Sequence, residues 1–217
     1  MRYKAVLFDM DGVLIDSEHV VRSAAIDALA SFGIHAQHED FIPFTGMDES
    51  HFFGGVARKH GHTYVDSMAD LTYDYYGQRV KKEAYIPEGS NEMLQTLHSR
   101  GILLAVCSGA VLRKVRYNIQ ALGVEESIFS AIVTGSDVEN KKPAPDIYLE
   151  GARRLGLKPE DCLVVEDAIN GIHAAHAAGM DAVGIPSTFS REELQEQGNP
   201  EYILDLATLL TDLPELN

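Results

Sequence analysis

The sequence predicts an α/β fold: a doubly wound parallel sheet with a small α-helical domain inserted after its first strand. Three observations predict it. Apolar runs of strand length recur along the chain, and each leads to a polar residue. Helical patterns lie between those runs, so strand and helix alternate. One stretch, residues 17–85, breaks the alternation with helical patterns and no strand pair.

The elements follow in order. "AVLF" leads to Asp9, "ILLAVC" to Ser108, "AIVTG" to Ser136 and Asp137, and "CLVVE" to Asp167. These runs are continuous rather than alternating, as expected of parallel strands buried on both faces. "DAVGIP" is a weaker fifth strand. Among the helices, "GSNEMLQTLHSRG" sets Met93, Leu94 and Leu97 on one face and stops at Gly101. "VLRKVRYNIQALG" stops at Gly123 and "AINGIHAAHAAG" at Gly179. "PDIYLEGARRLG" opens on Pro145 and closes on Gly156, the usual asymmetry of helix ends. In the inserted stretch, "SEHVVRSAAIDALASFG" has Ser17 as N-cap and Gly33 as stop, and "DESHFFGGVARKHG" and "SMADLTYDYYGQRVKKE" follow. The expected division is residues 1–16 and 86–217 for the core and 17–85 for the insert.

Composition narrows the function classes. The 217 residues are 45% hydrophobic and 24% charged, enough for a substantial core. A net charge of -15 argues against a nucleic-acid partner, since "RKVR" and Lys141–Lys142 are too short to make a basic patch. The longest apolar stretch, residues 102–107, falls far short of a membrane span. Cys107 and Cys162 form no metal-ligand spacing and suit a reducing compartment, with Cys107 a small buried hydrophobe. The N-terminus has no signal-peptide pattern. The expectation is a soluble cytoplasmic protein without a nucleic-acid or membrane partner, and a monomer.

The chemistry concentrates at strand ends. In open α/β sheets ligands bind at the carboxyl ends of the strands. One crevice would therefore collect Asp9, Asp11, Ser108, Lys142, Glu166 and Asp167. Asp9 and Asp11, two apart in extended chain, face the same side. Their repulsion would be relieved by Mg²⁺, a hard cation that takes oxygen ligands, with Glu166 and Asp167 completing the shell. One acid at a strand end is readily a turn cap; two acidic pairs at two strand ends are not. Ser108 before Gly109 suits phosphate, although a helix N-cap serine reads the same way. Lys142 lies in "KKPAP", where the prolines would stiffen its backbone, against the ordinary reading of a solvated lysine; Lys141 keeps that ordinary reading. His173 and His176 have a spacing seen in metal sites, but no third ligand is evident and the alanines around them suit packing. Tyr73, Tyr75 and Tyr76 read as core or surface of the insert.

"DMDGVLIDSE", "CSG", "KKPAPDIY" and "VEDAINGI" resemble, in order and spacing, the four signature motifs of the haloacid dehalogenase superfamily, whose core is Rossmann-like. The insert resembles the α-helical cap of its β-phosphoglucomutase-like subgroup, which includes many sugar-phosphate phosphatases. The resemblance implies that Asp9 is a nucleophile forming an aspartyl-phosphate. Asp11 would protonate the leaving oxygen and then deprotonate water. Ser108, Gly109 and Lys142 would hold phosphoryl oxygens. Mg²⁺ would be held by Asp9, the Asp11 carbonyl, Asp167, and Glu166 directly or through water. The cap would close over the site.

The subgroup's phosphomutases carry a histidine just beyond the "DSE" segment, and a lysine and an arginine in the first cap loop. Val21, Thr45 and Glu49 stand at those positions, although His19 is nearby. This favours a phosphatase acting on a small phosphate monoester, with a sugar phosphate foremost. A sugar phosphomutase and a pyrophosphatase are the alternative enzymes. A catalytically silent phosphate-binding module is the alternative of another class, and the intact acid, hydroxyl and lysine set speaks against it. A metal-free dehalogenase is disfavoured by Asp11 and the Glu166–Asp167 pair. A phosphonate hydrolase would need a Schiff-base lysine, whereas Lys59, Lys81 and Lys82 lie in polar helical stretches.

Overall fold

The computed structural model describes residues 2–44 and 49–216; Thr45 lies outside them. In chain order the main elements are β1 (Ala5–Phe8), α1 (Glu18–Ala30), α2 (His38–Phe41), α3 (Glu49–Lys59) and α4 (Asp66–Glu83). Next come α5 (Ser90–Ser99), β2 (Leu103–Ser108), α6 (Leu112–Leu122), β3 (Ala131–Thr134) and α7 (Asp146–Leu155). The last are β4 (Cys162–Glu166), α8 (Ile169–Ala177), β5 (Asp181–Gly184) and β6 (Tyr202–Ile203).

The chain divides into two compact units, residues 1–16 with 85–217, and residues 17–84. Tyr85 falls in the first unit, one residue before the expected boundary, because its backbone exchanges hydrogen bonds with Asp16 at 2.8 and 3.0 Å.

In the first unit the described strands form one parallel sheet in the order β3-β2-β1-β4-β5-β6. The strand β6 was not expected. It is two half-buried residues, too short for a hydrophobic pattern to register. β1 is buried throughout and hydrogen-bonded on both sides, which explains its unbroken apolar run. Its last residue, Phe8, pairs with Val106 on one side and Val165 on the other. That register brings Asp9, Ser108, Glu166 and Asp167 to one edge. The sheet order also reverses at β1, which places the crevice of a doubly wound fold beside Asp9.

One face of the sheet packs Leu7, Cys107 and Val164 against Ile147, Tyr148 and Ala152 of α7. Gly151 permits that approach: a Cβ there would lie 2.9 Å from both Leu7 and Cys107. Each fully buried aliphatic of this size contributes about 1.5–3 kcal/mol. The close packing also carries Tyr148, one turn earlier on α7, to the sheet's carboxyl edge. α7 starts after Pro145 and ends at Gly156 with φ 68°, as its sequence predicts.

The second unit is helical. Phe41, Phe52, Phe53, Tyr73 and Tyr76 form a chain of tilted and edge-to-face rings at 5.1–6.4 Å that builds its core. Tyr75 instead lies under the Arg79 guanidinium. Ser17 occupies the N-cap position of α1 but makes no side-chain capping bond and is fully buried. Asp40 is a knot: it accepts from Lys59 Nζ at 2.6 Å, from the Gln37 N–H at 2.8 Å, and pairs with His60 Nε2 at 2.8 Å. Among the described residues, no helix is long and apolar enough to cross a membrane.

Candidate active site

Asp9 follows directly on β1, and its N–H donates to the Val165 carbonyl at 2.9 Å, extending the ladder one residue past the strand. Its side chain is 13% exposed and accepts from Lys142 Nζ at 2.6 Å. Burial pushes its carboxyl up to about 8, opposed by Lys142 and reinforced by the Glu166 and Asp167 charges.

The chain then turns sharply. The Gly12 N–H donates to the Ile15 carbonyl at 2.8 Å, and Gly12 has φ 84°. A Cβ at Gly12 would fall on the Asp167 carboxylate, so the glycine supplies both the turn and the space. Asp11, at the start of this turn, is held from α6. Lys114 Nζ donates to its Oδ2 at 2.6 Å, and Asn118 Nδ2 reaches Oδ1 at 3.4 Å.

Ser108 ends β2 and is buried; its Oγ accepts from the Ala110 N–H at 3.2 Å. It is not the N-cap of α6, a position that Val111 occupies. Gly109 lies against Gly135, where a Cβ would strike the Gly109 carbonyl oxygen. The two loops therefore meet through backbone alone.

Lys142 sits between carboxylates. Its ammonium donates to Asp9 and Glu166, and it lies 4.9 Å over the Tyr148 ring. Burial would lower its affinity for a proton, but Asp9 and Glu166 override that and hold it well above the ordinary lysine value. Lys141 is not merely solvated: its ammonium donates to the Gly135 and Val138 carbonyls.

The Glu166 carboxylate faces Lys142 and the backbone at the start of α8. Its carboxylate is 1% exposed and engaged at both oxygens. Oε1 accepts from Lys142 and from the Tyr148 hydroxyl, the latter at 2.9 Å. Oε2 accepts the Asp167 and Ala168 N–H groups, each at 2.9 Å. Glu166 thus anchors the lysine. Asp167 is oriented by Ser187 at 3.2 Å and by Thr188, while Ser187 also donates to the Gly12 carbonyl at 2.5 Å. Burial and the Glu166 charge push the Asp167 carboxyl up to about 6.

Sequence reasoning missed Tyr148, Lys114, Asn118, Ser187 and Thr188. Lys114 and Asn118 had a usable signal: they lie four apart, each just before an inward-facing apolar residue, Val115 and Ile119. His173 and His176 are engaged elsewhere, with the Gln197 carbonyl at 2.7 Å and Glu201 at 3.3 Å.

A sequence model of the haloacid dehalogenase-like hydrolases matches residues 3–179. The chain belongs to that family. This hydrolase is 38% identical over 208 residues to protein SUPPRESSOR OF QUENCHING 1, chloroplastic, of Arabidopsis thaliana, covering 94% of this chain and 20% of that protein. It is 29% identical over 183 residues to the bifunctional riboflavin kinase/FMN phosphatase of the same plant, covering 84% of this chain and 48% of that protein. The chain thus spans half or less of the length of these curated relatives. Its fold matches CbbY from Rhodobacter sphaeroides in complex with phosphate, with a TM-score of 0.80 and 26% identity over 95% of this chain and 96% of that one. An aspartate-to-asparagine variant of the same CbbY was solved with xylulose-(1,5)bisphosphate.

Among the described residues no three His, Cys, Asp or Glu side chains gather into a metal cage. The donor set still fits Mg²⁺, which binds through one or two carboxylates and keeps positions for water and substrate phosphate. Asp9 and Asp167 supply oxygen only, and both are raised in pKa by burial and by neighbouring carboxylates. That is the environment a divalent cation relieves.

Proposed function

We propose that this hydrolase is a phosphatase that cleaves a small phosphate monoester, a sugar phosphate foremost, through an aspartyl-phosphate on Asp9. The observation that carries the reading is Asp9 at the carboxyl end of the central strand, with the Lys142 ammonium 2.6 Å from its Oδ1. The phosphate and bisphosphate bound by the similar CbbY support a phosphate ester as ligand.

Asp9 attacks phosphorus while the bond to the leaving oxygen breaks, and Asp11 donates the proton that oxygen takes up. Asp11 then removes a proton from water as that water attacks phosphorus. The Asp9–phosphorus bond breaks, and inorganic phosphate and free Asp9 result. Lys142, fixed by Glu166 and Tyr148, offsets charge on Asp9 and on the phosphoryl oxygens; Ser108 and the backbone at Gly109 receive those oxygens. Asp9, Asp167 and the Asp11 carbonyl, with Glu166 directly or through water, would hold Mg²⁺, which would supply positive charge to the phosphoryl group.

The test is phosphate release from p-nitrophenyl phosphate and a panel of sugar phosphates with Mg²⁺. Asp9→Asn is expected to abolish release. Undiminished release in Asp9→Asn would refute covalent catalysis at that residue.

A further inference from the structure

We infer that Lys114 and Asn118 of α6 form a two-point clamp that aims the Asp11 carboxylate. The inference rests on the reading of Asp11 as the proton-transfer group.

The clamp is built at an energetic cost. α6 turns Val115, Ile119 and Leu122 into the core, and Lys114 and Asn118 lie on that same inward side. Asn118 is fully buried and the Lys114 side chain is 10% exposed. A helix needs neither an ammonium nor an amide there, and burying them is unfavourable unless both find partners. Both reach the same carboxylate. Lys114 Nζ donates to Oδ2 at 2.6 Å, and Asn118 Nδ2 reaches Oδ1 at 3.4 Å. The Lys114 contact is the shorter of the two.

A fixed carboxylate suits a proton-transfer group. Two contacts fix the plane of the carboxylate, so rotation about the Asp11 side-chain bonds is restricted. The clamp also ties Asp11 to the helix that follows Ser108, so the phosphate-receiving strand end and the proton donor are set by one segment of chain. Lys114 and Asn118 are therefore positioning residues, acting through Asp11.

The experiment uses the full chain with Mg²⁺ and p-nitrophenyl phosphate, followed by stopped flow and at steady state. Aryl oxide leaves without help from an acid, but hydrolysis of the phosphoenzyme needs Asp11 as base. Lys114→Met is expected to keep a fast burst of p-nitrophenol and to lower kcat by about 10- to 100-fold, with KM nearly unchanged. Asn118→Ala, a milder change if Lys114→Met folds poorly, should show the same pattern at about 3- to 10-fold. In an Asp11→Asn background, Lys114→Met should cause no further loss. Wild-type kcat in both single variants, or a full additional loss in the Asp11→Asn background, would overturn the clamp while leaving the phosphatase reading intact. Wild-type chain that releases no phosphate from any ester would overturn the phosphatase reading and the clamp with it.

Discussion

Lys142→Met isolates the electrostatic core of the site. The side chain keeps its length and loses its charge, leaving Asp9 and Glu166, 13% and 1% exposed, without the ammonium that faces both. Removing one partner of a buried ion pair costs about 3–5 kcal/mol, because the remaining charge stays desolvated. That range is expected at neutral pH. The deficit should also depend on pH. Asp9 already sits at about 8 through burial, against the pull of Lys142, and losing that pull raises it further. A carboxyl whose native pKa exceeds its unfolded value, about 4, binds its proton more tightly in the native state. Stability therefore falls with the same slope in both proteins up to about pH 8, where the wild-type carboxyl ionises, and beyond that point it keeps falling only in the variant, so the deficit should widen as pH rises above about 8. Urea unfolding of wild type and variant without divalent cations, at several pH values, measures it. Adding Glu166→Gln should return part of the loss, since one orphaned charge is removed. A deficit below about 1 kcal/mol at neutral pH, or one that shrinks as pH rises, would refute the reasoning.

Three further outcomes follow from the same geometry. Asp40→Ala should cost the helical unit about 2 kcal/mol at neutral pH, read by thermal unfolding. Lys59, the Gln37 N–H and His60 hold the Asp40 carboxyl well below the usual carboxylate range, so its contribution is complete above the unfolded value and is lost as pH falls through the native one. The wild-type advantage should therefore vanish in acid; an advantage that grows there would contradict the assignment. Gly12→Ala should lose about 1–2 kcal/mol to backbone strain at φ 84° and lower activity by displacing Asp167; a fully active variant would show that the turn is dispensable. Chelation should abolish phosphate release and added Mg²⁺ should restore it, with Asp167→Asn needing more Mg²⁺, measured by titration calorimetry as well as by rate.

The sequence exposes the sheet because its strands are buried on both faces, so β1, β2 and β4 appear as unbroken apolar runs. The site edge follows from the same signal, since polar residues that end such runs share one edge. Direction is what the sequence hides. Glu166 and Asp167 are neighbours, yet Glu166 turns inward to Lys142 and Tyr148 while Asp167 is held by Ser187 and Thr188. Adjacent acids in a sequence carry no sign of that divergence. Tyr148 is equally silent: its role depends on α7 coming close to the sheet at Gly151, a packing event between distant segments. For Lys114 the spacing to Asn118 hints at a shared inward side, but only the packed helix shows that its ammonium reaches Asp11. The proline after Lys142 sets it apart from Lys141, but the different partners of the two lysines come only with the fold.

Catalysis through Asp9 requires a covalent bond between phosphorus and its carboxylate. Rapid acid quench of the Mg²⁺-loaded chain during turnover of a phosphate monoester, followed by peptide mass spectrometry, tests it directly. A phosphoryl group is expected on Asp9 itself, enriched in Asp11→Asn and absent in Asp9→Asn. Turnover with no phosphorylated peptide, or with the phosphoryl group on another residue, would contradict it.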